Sequence, residues 1–183
     1  MAKRAFKAYL IAAGGTPQPL IGTNTSAATG PSGQDPNGDP SVVKVPVSDS
    51  SMFQNGDWAI IGSTANSDEE RVLVQSVPDS THIVVKGMAL THVTASYVRL
   101  SIFCQSVYVQ TKQGNAGAIY VGLQGIVKAT YANVLATLYF FASPTQPIDY
   151  TDPVRVGEDG ADIGQYFCDG TTGDGYVPSL TIL

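Results

Sequence analysis

From Ser41 onward the chain is a succession of short runs in which apolar and polar residues alternate, each run cut off by Gly, Pro, Asn or Asp. "SVVKVPV" alternates around Val43, Val45 and Val47, and "RVLVQSV" sets Val72, Val74 and Ser76 opposite Arg71, Leu73 and Gln75. A period of two belongs to a pleated strand with one buried face. The β-branched run "THIVVKGM" follows a turn at "PDS", and "YVRLSIFCQSVYVQT" reads as one long strand or two. "NAG" then turns the chain into "AIYVGLQGIVKAT". In the closing "GYVPSLTIL", Pro178 has no amide to donate and points to an edge strand. "YANVLATLYFFA", residues 131–142, tolerates a helical reading through Val134, Leu135 and Leu138, but its β surroundings favour a strand. No internal repeat of fixed period is visible.

The stretch "QNGDWAIIG", residues 54–62, joins two of these runs. Asn and Gly tolerate positive φ, so "NGD" predicts a sharp reversal, with Asp57 accepting hydrogen bonds from the turn backbone. Trp58, Ile60, Val72 and Val74 are expected to fill a small β core. Before Ser41 the pattern changes. Residues 1–13 mix apolar and basic side chains and suit an arm or edge strand. Gly14 to Pro40, "GGTPQPLIGTNTSAATGPSGQDPNGDP", denies regular structure by its Gly and Pro. Residues 1–40 are therefore expected to be an extended arm and linker whose removal costs little stability.

Composition sharpens the picture. Of 183 residues 43% are hydrophobic and only 14% charged, against about 25% charged in ordinary soluble domains. Polar surface must come from Thr, Ser, Gln, Asn and Gly, a profile of β-rich extracellular or assembly-bound proteins rather than of cytoplasmic helical enzymes. The net charge of −5 opposes binding to a bare phosphate backbone, so no nucleic-acid partner is expected. Lys3, Arg4 and Lys7 form the one basic cluster. No apolar run reaches the roughly 18 residues of a membrane span, and no membrane partner is expected. "MAKRAFKAYLIAAGG" is not expected to be a signal peptide, since "AYLIAA" is short of an h-region and Lys7 interrupts it.

Residues with chemical potential are few. His82 and His92 lack a G-x-S-x-G nucleophile turn and metal-ligand spacing, so both are expected to be structural or surface residues. Asp68, Glu69 and Glu70 in "NSDEER", and Glu158, Asp159 and Asp162 in "GEDGAD", read as solvated loops rather than a glycosidase pair. "DGTTGDG" places Asp169 and Asp174 in a Gly-rich turn, read as a tight hairpin with a calcium loop as the alternative. Cys104 and Cys168 have no CxxC spacing and read as buried thiols, with a single disulfide as the alternative. No catalytic, cofactor-binding or metal-ligating residue is assigned, no cofactor is expected, and the protein is not expected to be an enzyme.

Two blocks carry a resemblance. "MFQNGDWAIIG…EERVLVQSVPDSTHIVVKGMALTHVTASYVRL", residues 52–100, resembles a segment of tailed-bacteriophage virion structural proteins. Its features are a "GD" turn, a strand ending in Gly, an acid before a V-x-V strand, a His-containing loop and a final V-x-L. "SVYVQTKQGNAGAIYVGLQGIVKAT" with "YFCDGTTGDGYVPSLTIL" is similar to the β-sandwich part of such proteins, where N-x-G-x-I/V-Y-V-G marks a hairpin. The resemblance implies a capsid decoration, or cement, protein: often a homotrimer, bound to the major capsid protein on the virion surface and made in the host cytoplasm. It brings no catalytic residues. The expected fold is mostly β, with a small β-barrel-like domain over 41–101 and a β-sandwich over 102–183. A tail, head–tail joining or receptor-binding component is the alternative. A carbohydrate-binding module is a third, through exposed aromatics such as Tyr108 and Tyr120.

Overall fold

The computed structural model describes residues 2–31, 41–62, 67–112, 114–138, 154–155 and 160–182. These residues form β-strands, with no α-helix and a single 3₁₀ turn at Ile163–Gln165. The strands are β1 (Ala2–Ala5), β2 (Tyr9–Leu10), β3 (Gln18–Pro19), β4 (Gly22–Asn24), β5 (Val42–Pro46) and β6 (Trp58–Ile61). Next come β7 (Glu70–Asp79), β8 (His82–Lys86), β9 (Tyr97–Ser101), β10 (Phe103–Thr111), β11 (Ile119–Val127) and β12 (Ala132–Leu138). Last are β13 (Val154–Arg155), β14 (Ala161–Asp162), β15 (Tyr166–Asp169) and β16 (Gly175–Ile182). They make three antiparallel sheets, and the chain groups into two compact units, Ile21–Ile102 and Met1–Leu20 with Phe103–Leu183.

In the unit Ile21–Ile102 one six-stranded sheet runs β4-β9-β6-β7-β8-β5. The "NGD" turn forms as its residues dictate: Gly56 has φ +88, and Gln54 N donates to Asp57 Oδ2 at 2.7 Å. Val72 and Val74 lie in the core, as the alternation requires. Trp58 and Ile60 do not. Ala59 pairs with Val72 and Trp58 with Leu73, and directly opposed residues share a face. The pleat therefore buries Ala59 and Ile61 and turns Trp58 outward, 43% exposed, under the Arg71 guanidinium at 4.9 Å. Ser76 also leaves the core face, because the β7–β8 register shifts between Val74 and Ser76. The expected barrel is not closed by a continuous ladder. Beyond their ends β4 and β5 meet at one bridge, Thr25 to Val47, flanked by Ser26 N to Pro46 O (3.0 Å) and Ser48 N to Asn24 O (2.9 Å).

The other unit holds two sheets. One is β1-β16-β10-β13, with β2 also on β16 and β14 on β10; the other is β12-β11-β15-β3. Pro178 is not at an edge, because β16 is flanked by β1 and β2 on one side and β10 on the other. Lys112 N donates to Gly175 O, so hydrogen-bonded pairs alternate from that point and leave Val109–Pro178 a non-bonded pair. The missing amide thus faces the gap between β1 and β2, where Phe6 N reaches Pro178 O at 3.4 Å. The "NAG" and "DGTTGDG" turns also depart from expectation. Each forms a turn, but β10 and β11 lie in different sheets, as do β15 and β16, so neither closes a hairpin. Residues 132–138 are a strand as expected, and 139–142 lie outside the described residues.

Residues 1–40 are not a free arm over their described part. β1 and β2 pair with β16, β3 pairs with β15, and β4 pairs with β9. Ile11, Leu20 and Ile21 are fully buried, and Tyr9 stacks on Tyr176 with centroids 5.6 Å apart. Single apolar residues in a Gly/Pro context carry no period, which is why the pairing escapes a reading of the sequence.

Leu20→Ala should lower unfolding free energy by about 2–5 kcal/mol, the usual cost of emptying a core leucine site. Deletion of residues 2–20 should cost more still. Urea unfolding checks both; a truncated chain as stable as the full one would restore the free arm.

Candidate functional site

One buried polar cluster lies in the unit Ile21–Ile102 and is built on the consecutive acids Asp68, Glu69 and Glu70. Gly62, at φ +94, lets the segment fold back, since a side chain there would collide with the Asp68 carbonyl. Glu70 Oε2 accepts from Ala89 N (2.6 Å), and Oε1 accepts from Leu90 N (3.1 Å) and faces His92 Nε2 (2.7 Å). His92 is wholly buried, with Nδ1 3.7 Å from Asp68 Oδ2, and its backbone bridges Thr29 through bonds of 2.9 and 2.7 Å. Arg99, also buried, pairs with Glu69 and reaches Gly62 O at 3.5 Å.

The three acids are therefore more than a solvated loop, although Glu69 stays exposed. They compensate a buried imidazole and a buried guanidinium, whose desolvation would otherwise be costly. The sequence separates Glu70 from His92 by 22 positions, and no motif links them. Chemically the cluster is a clasp on one ring nitrogen. Nε2 of His92 meets Glu70, while the buried Nδ1 has no hydrogen-bond partner among the described residues, the Asp68 carboxylate lying 3.7 Å away.

His82 sits in the β7–β8 turn with Asp79 and Thr81, three residue types that could suggest a nucleophile relay. The geometry refuses it. Asp79 Oδ1 (2.8 Å) and Thr81 Oγ1 (3.0 Å) both approach Nδ1, whereas a relay needs the carboxylate and the nucleophile on opposite ring nitrogens. The Asp79 carboxyl is held well below the usual carboxylate range by the His82 hydrogen bond first, then by the Thr81 amide and hydroxyl. The stabilisation it gives, screened by solvent, is present above the ordinary carboxylate pKa and is lost progressively as the pH falls below it.

In the other unit the acids serve the backbone. Asp174 Oδ1 accepts from Ala116 N (2.7 Å) and Oδ2 from Gly117 N (3.2 Å) and Thr171 N (3.3 Å). Asp169 Oδ1 accepts from Gly15 N (2.8 Å) and Gly170 N (2.7 Å), with Lys128 Nζ 3.8 Å away. Donors crowd these oxygens, the opposite of the oxygen cage a calcium ion takes. Asp162 caps the 3₁₀ turn through Gly164 N, while Glu158 and Asp159 lie outside the described residues. Among the described residues no group of three His, Cys, Asp or Glu side chains is placed to hold a metal.

Cys104 and Cys168 are free, buried thiols. Cys104 donates to Ala161 O at 3.3 Å. Burial, reinforced by the Asp162 charge, pushes Cys104 up to about 11. Burial pushes Cys168 up to about 12, opposed by a hydrogen bond with Tyr176 and aided by the Asp169 charge. Of the aromatic candidates, Tyr108 and Tyr120 are half-buried, whereas Trp58, Phe103 and Tyr131 are exposed. No family model matches this chain, and no curated protein or solved structure matches it either.

Glu70→Ala leaves His92 Nε2 and two amides without their acceptor and should destabilise by about 3–5 kcal/mol, in the range for breaking a buried pair. Denaturant unfolding checks this. Both thiols should resist iodoacetamide at pH 8 in the folded protein and react once it unfolds, as mass spectrometry would show. The unfolded chain ionises its thiols near pH 8.5 and the folded chain only near 11 and 12, so the folded state binds more protons between. Stability should therefore fall as pH rises through that window, and Cys168→Ser should flatten the slope.

Proposed function

We propose that this protein is a structural component of a tailed-phage virion, of the capsid-decoration type. On this reading it binds the major capsid protein of the assembled shell, associates with copies of itself and has no catalytic role. The two sheets of the unit containing β10–β16 are read as a sandwich, and the sheet of the other unit as barrel-like. The observation that carries the proposal is how the polar groups are used. Glu70, Asp79, Asp162, Asp169 and Asp174 all accept hydrogen bonds from nearby amides. Large apolar side chains, Phe103 and Leu135 among them, stand in solvent. Such a surface costs little to dehydrate against a partner. The residue patterns in 52–100 and in the later blocks support the same class.

Exposed Trp58 favours a second reading, a receptor-binding component that stacks a sugar ring on the indole. The two readings part experimentally. Purified protein should co-sediment with preassembled shells, and shells that carry it should survive higher temperature, because a ligand that binds only the assembled state stabilises that state by mass action. Trp58→Ala should leave this unchanged. Shells with the same melting behaviour with and without the protein, together with Trp58-dependent glycan binding, would favour the second reading.

A further inference from the structure

Among the described residues β12 is the outer strand of its sheet, with β11 on its inner side. Outer strands expose unpaired amides and carbonyls, and proteins ordinarily guard them with charge, proline, a β-bulge or brevity. This chain guards its others. β1 carries Lys3 and Arg4, β5 carries Lys44 and ends at Pro46, and β2, β3, β4, β13 and β14 are two or three residues long. β12 has seven residues, "ANVLATL", without a charge or a proline; its register on β11 shifts on both sides of Val134, and Ala136–Leu138 pair regularly. Leu135 at its centre is 55% exposed, and Leu123 (41%), Val127 (46%) and Tyr131 (56%) on the same hairpin are exposed too.

The hairpin also holds unusual backbone. Tyr131 (φ 58) and Asn133 (φ 57) are left-handed without being glycine, a conformation that is rare for a bulky residue and kept only where the surroundings impose it. Asn133 is fixed by its side-chain amide donating to Gln124 O (3.2 Å) and Gly125 O (3.3 Å). Its carbonyl lies against Gly122, where no side chain would fit. Tyr131 meets Tyr120 edge-on at 5.9 Å. The apolar edge is thus held in one shape before any partner arrives.

We propose that β12 is a self-association edge, pairing antiparallel with β12 of a second copy across a twofold axis. Among the described residues nothing pairs with the outer side of β12; a strand edge takes a strand as its partner, and a second copy presents the same one. Charge points the same way. Across a twofold contact the same patch meets itself, so charged residues in it would face like charges. In a chain of net charge −5, β11 and β12 contain no Asp, Glu, Lys or Arg. The one ammonium in their turn, Lys128, is turned away to Gly170 O at 2.7 Å. The contact joins two copies, is separate from the threefold assembly that the resemblance implies, and does not rest on the virion reading.

Sedimentation of the full chain over a concentration series is the test. The wild type should show a doubling step, and Leu135→Lys or Thr137→Lys should weaken it at least tenfold while far-ultraviolet circular dichroism stays unchanged. Thr137→Lys, at a half-buried position, covers the case in which the Leu135 variant misfolds. A wild type that never doubles, or folded variants of both kinds that double normally, overturns the proposal. Shell binding is measured separately, so loss of doubling with shell binding intact leaves the virion reading standing.

Discussion

The hydroxyl of Tyr176 is closed off from the surface, and the segments around β16 in the unit formed by Met1–Leu20 and Phe103–Leu183 converge on it. Tyr176 is fully buried on β16, where Gln18 Nε2 donates to its oxygen at 3.2 Å and the carbonyls of Leu20 (3.3 Å) and Pro19 (3.5 Å) lie within reach. A buried hydroxyl without a partner costs about 1–3 kcal/mol, and here the partners come from residues 18–20 together with Cys168. The same strand takes β1 and β2 on one side and β10 on the other. The beginning, middle and end of the chain therefore meet on β16. Pairings so distant in sequence require large loops to close before contacts compensate, which makes such topologies slow to fold.

That dependence explains what could be read in the residues and what could not. The strands β5, β7 and β8 announce themselves, because Val45, Val72, Val74 and Val85 recur on one face with turn residues between. The face of β6 does not, since "WAII" is apolar at every position and only its pairing with β7 decides that Ala59 rather than Trp58 goes inward. Leu20 and Ile21 are the clearest loss. Two apolar residues between Pro19 and Gly22 generate no period, although both end fully buried. The turns at 115–117 and 169–175 were legible as reversals from their Gly, Asn and Asp. Which sheet the next strand joins is set by long-range pairing and leaves no local trace.

The candidate site divides in the same way. His92 as a structural residue follows from the absence of any nucleophile motif or ligand spacing nearby. Its partners do not, because "DEE" before a strand looks like solvated surface until Arg99 and His92 are brought beneath it. What the sequence conceals is that this chain uses acids as internal fasteners. A carboxylate accepting two or three amide bonds replaces the backbone partners that a tight turn cannot supply. Asp174 does so for the loop 115–117 and Glu70 for residues 89 and 90, while Asp79 accepts one amide and one hydroxyl, both from Thr81, in its own hairpin.

One consequence reaches the surface. With 14% charged residues and several of the acids committed internally, the described residues carry even less free surface charge than their composition implies. Long-range steering of partners depends on surface charge and weakens with salt. A face of hydroxyls, amides and scattered apolar groups recognises through shape and desolvation at short range instead. Such recognition tolerates changes in ionic strength but gives up speed of encounter. On the proposed virion reading, that exchange would suit contacts that persist once made, with the apolar rims rather than ionic groups setting their geometry.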